Sequence, residues 1–348
     1  MNRRQFNKNI LMGLGGATIT TPSTSHFFEN KKSTPDFRKK CIHPKPLSAG
    51  DTVGLITPSS SITEAKLEKA IANMKTLGLK VKLGKNIKAI HGFLAGTDQQ
   101  RLDDLHAMFA DDEVDGIWCI RGGYGLGRIL PDIDYKLIKK NPKIIIGYSD
   151  ITALLIAIHQ KTGLIGFHGP LASSTFSDYT LKHVKNVLMH PKKHYTIGYA
   201  NENDDIEDIS YRTKVIRHGK ARGQLSGGNL TLLSSMAGTK FEWSAKNKLV
   251  FIEDIGEKPY RIDRMLTQLL QSADLHKAKG IILGVFEDCQ AKEGSRSLSL
   301  METLEDRLGH LEVPIIYGLS FGHIKNNFTL PVGMEAEMDT EKRTLTLL

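Results

Sequence analysis

Apolar positions recur along this chain in two periods, and the changes of period locate its elements. Thr52-Val53-Gly54-Leu55-Ile56-Thr57 is a short apolar run that predicts a buried strand, and Pro58-Ser59-Ser60-Ser61 is the turn after it. Leu67, Ile71, Met74 and Leu77 follow at helical spacing, opened by the capping-box pattern Ser61-x-x-Glu64 and stopped by Gly78. Leu79 to Leu83 alternates as a strand does. Asp98 to Ala110 predicts an amphipathic helix with Leu102, Leu105 and Phe109 on one face, and Gly116 to Ile120 predicts the next strand. Ile144-Ile145-Ile146 is a further buried run that breaks at Gly147 and passes into a helical face marked by Leu154, Leu155 and Ile158. Strands alternating with helices predict an α/β domain with a mainly parallel sheet, flavodoxin- or Rossmann-like. Ligand sites in such sheets gather at the carboxyl ends of the strands.

The pattern weakens over residues 186–222, which are polar and irregular around Asn201-Glu202-Asn203-Asp204-Asp205. Beyond them come Gly223 to Leu230, a strand at Leu249–Ile252, a helix from about Ile262 to Gln271, a strand at Ile281–Leu283 and β-like stretches at 334–338 and 344–347. These predict a smaller mixed α/β domain. The expected division is therefore 1–45 export signal and linker, 46–185 N-terminal α/β domain, 186–222 boundary, and 223–348 C-terminal domain. The 348 residues show no internal repeat or coiled coil.

A net charge of +9 would suggest nucleic acid if it were spread along a face, but its location argues otherwise. Residues 1–45 hold nine of the 47 Lys/Arg and only Glu29 and Asp36 of the acids, which leaves 38 basic against 36 acidic residues in the body. No basic stripe with interleaved aromatics is present, so nucleic-acid binding is not expected. The excess lies in Arg3-Arg4-Gln5-Phe6 and its mildly apolar, Gly-rich sequel Ile10 to Thr20, which fits a twin-arginine export signal and places the protein in the periplasm or envelope. If that leader does not function, the cytoplasm is the expected location. The apolar stretch is too short to span a bilayer, so no membrane span is expected. Cys41, Cys119 and Cys289 have neither metal-like spacing nor the even count of a disulfide framework, and Cys119 reads as a buried strand residue.

The candidate chemistry begins at Gly147-Tyr148-Ser149-Asp150-Ile151-Thr152. A serine on a strand-to-helix turn projects its hydroxyl from the sheet edge, with following backbone N–H groups aimed at what it attacks. The alternative is that Ser149 caps the helix. A serine nucleophile needs a base and a group that orients the base. Two further apolar runs end at suitable residues: Leu249 to Ile252 at Glu253-Asp254, and Pro314 to Leu319 at Phe321-Gly322-His323. Singly each has a structural reading; Glu253 would equally cap a helix or bind Arg261. Arg121-Gly122-Gly123-Tyr124-Gly125 lets backbone N–H groups approach a ligand, and with the Asp150 N–H it offers two oxyanion donors. Dinucleotide and P-loop patterns are absent.

Together these segments resemble the LD-carboxypeptidase family of serine peptidases, which includes murein tetrapeptide carboxypeptidases and microcin C immunity peptidases. The resemblance is carried by Gly50-Asp51-Thr52-Val53, Phe93 to Asp98 with Arg101, Ile117 to Gly125, Gly147 to Thr152, His168-Gly169-Pro170, Gly227 to Leu230, Ile252-Glu253-Asp254 with Pro259 to Arg264, and Gly322-His323 with Leu330 to Gly333, in family order over about residues 47–345. It implies a triad of Ser149 as nucleophile, His323 as base and acid, and Glu253 as its orienting carboxylate, with Gly123 (and less directly Gly122) and Asp150 as oxyanion donors. It implies no metal or organic cofactor, a two-domain dimer with the triad at the domain junction, and hydrolysis of the L,D-bond to a terminal D-amino acid in a peptidoglycan-derived peptide. A microcin-like acyl-nucleotide amidase, with Trp243 as a base-stacking candidate, and a non-catalytic muropeptide-binding envelope protein are the competing expectations. If the triad assembles, Ser149 Oγ should lie within hydrogen-bond reach of one ring nitrogen of His323, and Glu253 within reach of the other.

Overall fold

The computed structural model describes residues 41–200 and 209–348. The expected export signal at 1–45 lies almost entirely outside the described residues, as does Asn201 to Asp205. In chain order the elements are β1 (Thr52–Ile56), α1 (Glu64–Thr76), β2 (Lys80–Leu83), α2 (Asp98–Ala110), β3 (Gly116–Cys119), α3 (Leu126–Ile129), α4 (Tyr135–Lys140), β4 (Ile144–Gly147), α5 (Ile151–Thr162), β5 (Gly166–His168) and α6 (Asp178–Val184). Then follow β6 (Tyr195–Gly198), β7 (Lys214–Arg217), β8 (Lys220–Asn229), α7 (Leu230–Ser235), β9 (Lys248–Ile255), α8 (Pro259–Ser272), β10 (Gly280–Glu287), α9 (Leu300–Leu308), β11 (Ile315–Gly322), β12 (Leu330–Val332), β13 (Glu335–Asp339) and β14 (Thr344–Leu347).

The first sheet has the order β12-β5-β4-β3-β1-β2, with β1 to β5 parallel and β12 antiparallel at the edge. Its inner strands are covered on both faces, so Ile144, Ile145 and Ile146 are all buried and the sequence shows a continuous apolar run. The strand order reverses between β1 and β3, the point where such sheets open a crevice at their carboxyl ends. The second sheet has the order β6-β14-β13-β8-β9-β10-β11-β7, parallel from β8 to β11 and antiparallel outside them. The second half, expected to be the smaller, thus carries the larger sheet.

Three expectations change. The polar stretch 186–222 is more than a boundary, because β6 and β7 within it form the two edges of the second sheet. Edge strands tolerate charge and polarity on their open side, which hides them from a hydrophobic pattern. The Ser61-x-x-Glu64 capping box is not formed. Helix α1 starts at Glu64, and Thr63 caps it by accepting from the Lys66 N–H. A capping box needs the acid at the third helical position, and Glu64 is at the first, two residues too early. Helix α5 is buried all round its first two turns rather than on one face, because it is packed between the first sheet and the β8–α7 layer of the second.

Candidate active site

Ser149 follows β4 and has φ +64, a left-handed conformation that a residue with a Cβ adopts at a cost. Gly147 before it leaves no room for a Cβ, which would come within 2.9–3.0 Å of the Ile151 side chain. The turn is therefore sharp and strained, as a nucleophile presentation requires. The capping alternative does not apply, since no side chain caps α5. The Asp150 carboxylate turns away to accept from Ser59 Oγ at 2.6 Å and from the Leu126 N–H at 3.0 Å. Burial raises the pKa of this acid.

The glycine-rich loop after β3 meets Ser149 directly. A Cβ at Gly122 would lie 2.9 Å from Ser149 Cβ and 3.2 Å from its Oγ, so only glycine permits the approach. Gly123 has φ +111. Ser60, in the turn after β1, holds this loop by donating its N–H to the Gly122 carbonyl at 3.3 Å and accepting from the Tyr124 N–H at 3.1 Å. Arg101 ties the same pieces from beneath: its buried guanidinium donates to the Pro58 and Gly125 carbonyls at 2.7 and 3.0 Å and pairs with Asp98 at 2.5 Å. Among the described residues, neither the Gly123 nor the Asp150 N–H donates to an acceptor in the chain.

Glu253 and His323 come from the second sheet. Glu253 lies on β9 and His323 directly follows β11, two strands that flank β10. Gly322, with φ +121, brings the chain across so that even a Cβ there would be 3.3 Å from Glu253 Oε2. His323 Nδ1 is 2.7 Å from Glu253 Oε2, with side-chain exposures of 14% and 0%. Burial works against both charges, but the pair outweighs it. The His323 ring and its hydrogen bond hold the Glu253 carboxyl below its usual range, and the Glu253 charge and hydrogen bond raise the His323 pKa above its ordinary value. Glu253 therefore does not bind Arg261, which pairs with Glu257 instead.

The structure brings the two halves of the set together through Tyr148 and Thr152. The Tyr148 ring packs edge-on against His323, with centroids 4.7 Å apart. Thr152 Oγ1 accepts from the Asn229 N–H at 3.0 Å, joining α5 to the end of β8. No hydrogen bond links Ser149 Oγ to His323 among the described residues, so the expected contact is not closed here. In sites without substrate this hydrogen bond is often long and tightens only in the complex.

Several supporting residues lie in segments the sequence reading named but gave no role. Ser59, Ser60 and Arg101 brace the loops. Asp254, pushed up to about 6 by burial and the neighbouring Glu253 charge, accepts from Asn229 Nδ2 at 3.0 Å and from Thr231 Oγ1 at 2.8 Å. His168 is fully buried with its pKa pushed down to about 4 by burial, and its ring packs between Phe251 and Tyr148 at 5.3 and 6.0 Å. Position at a strand's carboxyl end was the available signal for Ser59 and Ser60; the others resemble core. Trp243 is 2% exposed and donates its Nε1–H to Ser226 Oγ at 2.7 Å, so it offers no face to a base.

A serine on a strained strand-to-helix turn, free backbone donors beside it and a buried His–Glu pair from a second sheet define a serine hydrolase scaffold of two α/β sheets. The chain belongs to the LD-carboxypeptidase family: residues 53–169 match the LD-carboxypeptidase N-terminal domain and residues 222–338 match the LD-carboxypeptidase C-terminal domain. It is 45% identical over 304 residues to the probable murein peptide carboxypeptidase of Bacillus subtilis, covering 87% of this chain and 93% of that protein. Its fold matches the muramoyltetrapeptide carboxypeptidase from Oxalobacter formigenes with a TM-score of 0.74 at 29% identity, over 85% of this chain and 97% of the other. The microcin C7 self-immunity protein MccF in its apo state matches with a TM-score of 0.78 at 27% identity, over 88% and 98%.

Proposed function

We propose that this carboxypeptidase hydrolyses the L,D-peptide bond to the terminal D-amino acid of murein tetrapeptides, with Ser149 as nucleophile. The observation that carries the reading is the buried Glu253–His323 pair at 2.7 Å, held edge-on to Tyr148 beside the strained Ser149. In this reading His323 Nε2 takes the Ser149 proton as Oγ attacks the carbonyl carbon. Glu253 fixes the tautomer and stabilises the imidazolium that forms. The carbonyl oxygen becomes an oxyanion between the Gly123 and Asp150 N–H groups, where one such donor is worth about 3–4 kcal/mol. The departing D-alanine amine collects the proton from His323, and water, deprotonated by the same ring, frees the acyl-enzyme. Murein specificity follows the names of the relatives, and the buried Trp243 removes the feature that favoured a nucleotide substrate.

The test is D-alanine release from a murein tetrapeptide, followed by mass spectrometry, for the wild type and Ser149→Ala. The wild type should release D-alanine, and the variant should lose at least about a thousandfold in kcat while keeping its thermal midpoint. A variant that turns over above that level would remove Ser149 as nucleophile.

A further inference from the structure

An exopeptidase must read the free carboxylate of the residue it releases, and the triad and its oxyanion donors leave that task unassigned. We propose that Arg121, backed by Lys66, reads this carboxylate and sets the preference for a substrate ending in a free acid. The inference rests on the peptidase reading above.

Position is the first argument. Arg121 immediately precedes Gly122, whose backbone lies so near Ser149 that a Cβ there would be 2.9 Å from the serine Cβ. In a substrate attacked at its last peptide bond, the terminal carboxylate lies roughly one residue step, about 3.8 Å, beyond the acyl carbon. A reader of that group therefore belongs about one residue from the oxyanion loop. Anchoring is the second. Arg121 is half-buried and its Nη1 donates to the Ser61 carbonyl at 2.5 Å, which fixes the guanidinium against the turn after β1. A guanidinium carries five N–H donors, and among the described residues that is the one hydrogen bond it donates.

Charge is the third. The acids around this loop are already engaged: Asp98 with Arg101 and Arg128, Glu64 with Lys88, and Asp150 with Ser59 and Leu126. Neither Arg121 nor Lys66 has a carboxylate partner among the described residues. Burial, and then the Arg121 charge, lower the Lys66 pKa, which places the two cations within each other's field. Two neighbouring uncompensated cations at the edge of the glycine-rich loop are unfavourable alone and are relieved by an arriving anion. A planar guanidinium matches a carboxylate in two parallel hydrogen bonds, a geometry an ammonium does not reproduce.

The experiment compares a murein tetrapeptide ending in D-alanine with the same peptide ending in D-alaninamide, for the wild type, Arg121→Met, Arg121→Lys and Lys66→Ala. The wild type should favour the acid by about 10- to 100-fold in kcat/KM, the scale of a charged hydrogen bond. Arg121→Met should bring the acid-to-amide ratio in kcat/KM down to about one, mainly through KM for the acid. Lys66→Ala should lower the same ratio by less. If Arg121→Met loses both substrates by misfolding, the ratio in Arg121→Lys and Lys66→Ala decides. An unchanged acid-to-amide ratio in active variants, or a wild type that cleaves both substrates equally, overturns the proposal. A wild type that releases nothing from either substrate overturns the peptidase reading itself, and the proposal with it.

Discussion

His323 has two opposed influences on its proton, and their balance sets the pH at which the ring is a base. Burial favours the neutral ring, whereas the Glu253 carboxylate favours the charged one and prevails. A general base must be neutral, so kcat/KM should rise with pH through a midpoint above the ordinary histidine value of about 6.5. Glu253→Gln removes the charge and leaves the burial, so its rising limb should move below that of the wild type. Its kcat should also fall by about 10⁴-fold, because the tautomer is no longer held. A pH–rate profile of both proteins checks this; a limb that stays in place in Glu253→Gln would mean that another group titrates. Ser149, Glu253 and His323 were legible in sequence because each ends an apolar run, where a polar residue stands out. Tyr148, His168 and Arg101 fell inside the segments that carry the resemblance, but their roles were not legible, because an aromatic ring or a histidine among apolar neighbours reads as core, and a buried arginine reads as a surface charge on an amphipathic helix.

Helix α5 is the element on which the two sheets meet, and one glycine of β8 controls that contact. Gly228 has φ +144, and a Cβ there would lie 2.4–2.6 Å from the Thr152 side chain. Gly228→Ala therefore combines backbone strain with overpacking and should destabilise the protein by about 1–3 kcal/mol or more. Because Thr152 lies three residues from Ser149, activity should fall further than the loss of folded protein accounts for. Chemical denaturation together with activity per folded molecule measures the two effects; a variant of wild-type stability would show that the junction yields. The elements of the first sheet were legible because strands buried on both faces give unbroken apolar runs, and α2 spans Asp98–Ala110 as its pattern predicts. Strands β6, β7 and β12 were not. The first two are only four residues long and mostly half-buried or exposed, and β12 carries Pro331, which an edge strand accepts because one side of its backbone needs no partner.

At the scale of the molecule, the two halves of the sequence are not two independent bodies. Strand β12, from the last twenty residues, completes the first sheet by pairing with β5, with Leu330 opposite His168 and Val332 opposite Gly166. The chain then returns to the second sheet, where the Gly333 N–H donates to the Leu225 carbonyl at 2.7 Å. Helix α5 buries Leu154, Leu155, Ile156 and Ile158, and its contacts with β8 and α7 cover a side that the first sheet does not. A fragment of residues 41–190 would therefore expose an apolar face of its central helix and the unpaired edge of β5. Both are routes to aggregation rather than to a folded domain. We expect that fragment to be insoluble, or to lack cooperative unfolding, when expressed alone. Co-expression with residues 191–348, which supplies β8, α7 and β12, should restore soluble protein and D-alanine release together. Solubility and thermal unfolding of the fragment alone and of the pair check this. A 41–190 fragment that unfolds cooperatively by itself would show that β12 and the α5 junction join two finished domains. The Glu253–His323 pair would then reach Ser149 by docking alone, and mixing separately folded halves should recover activity.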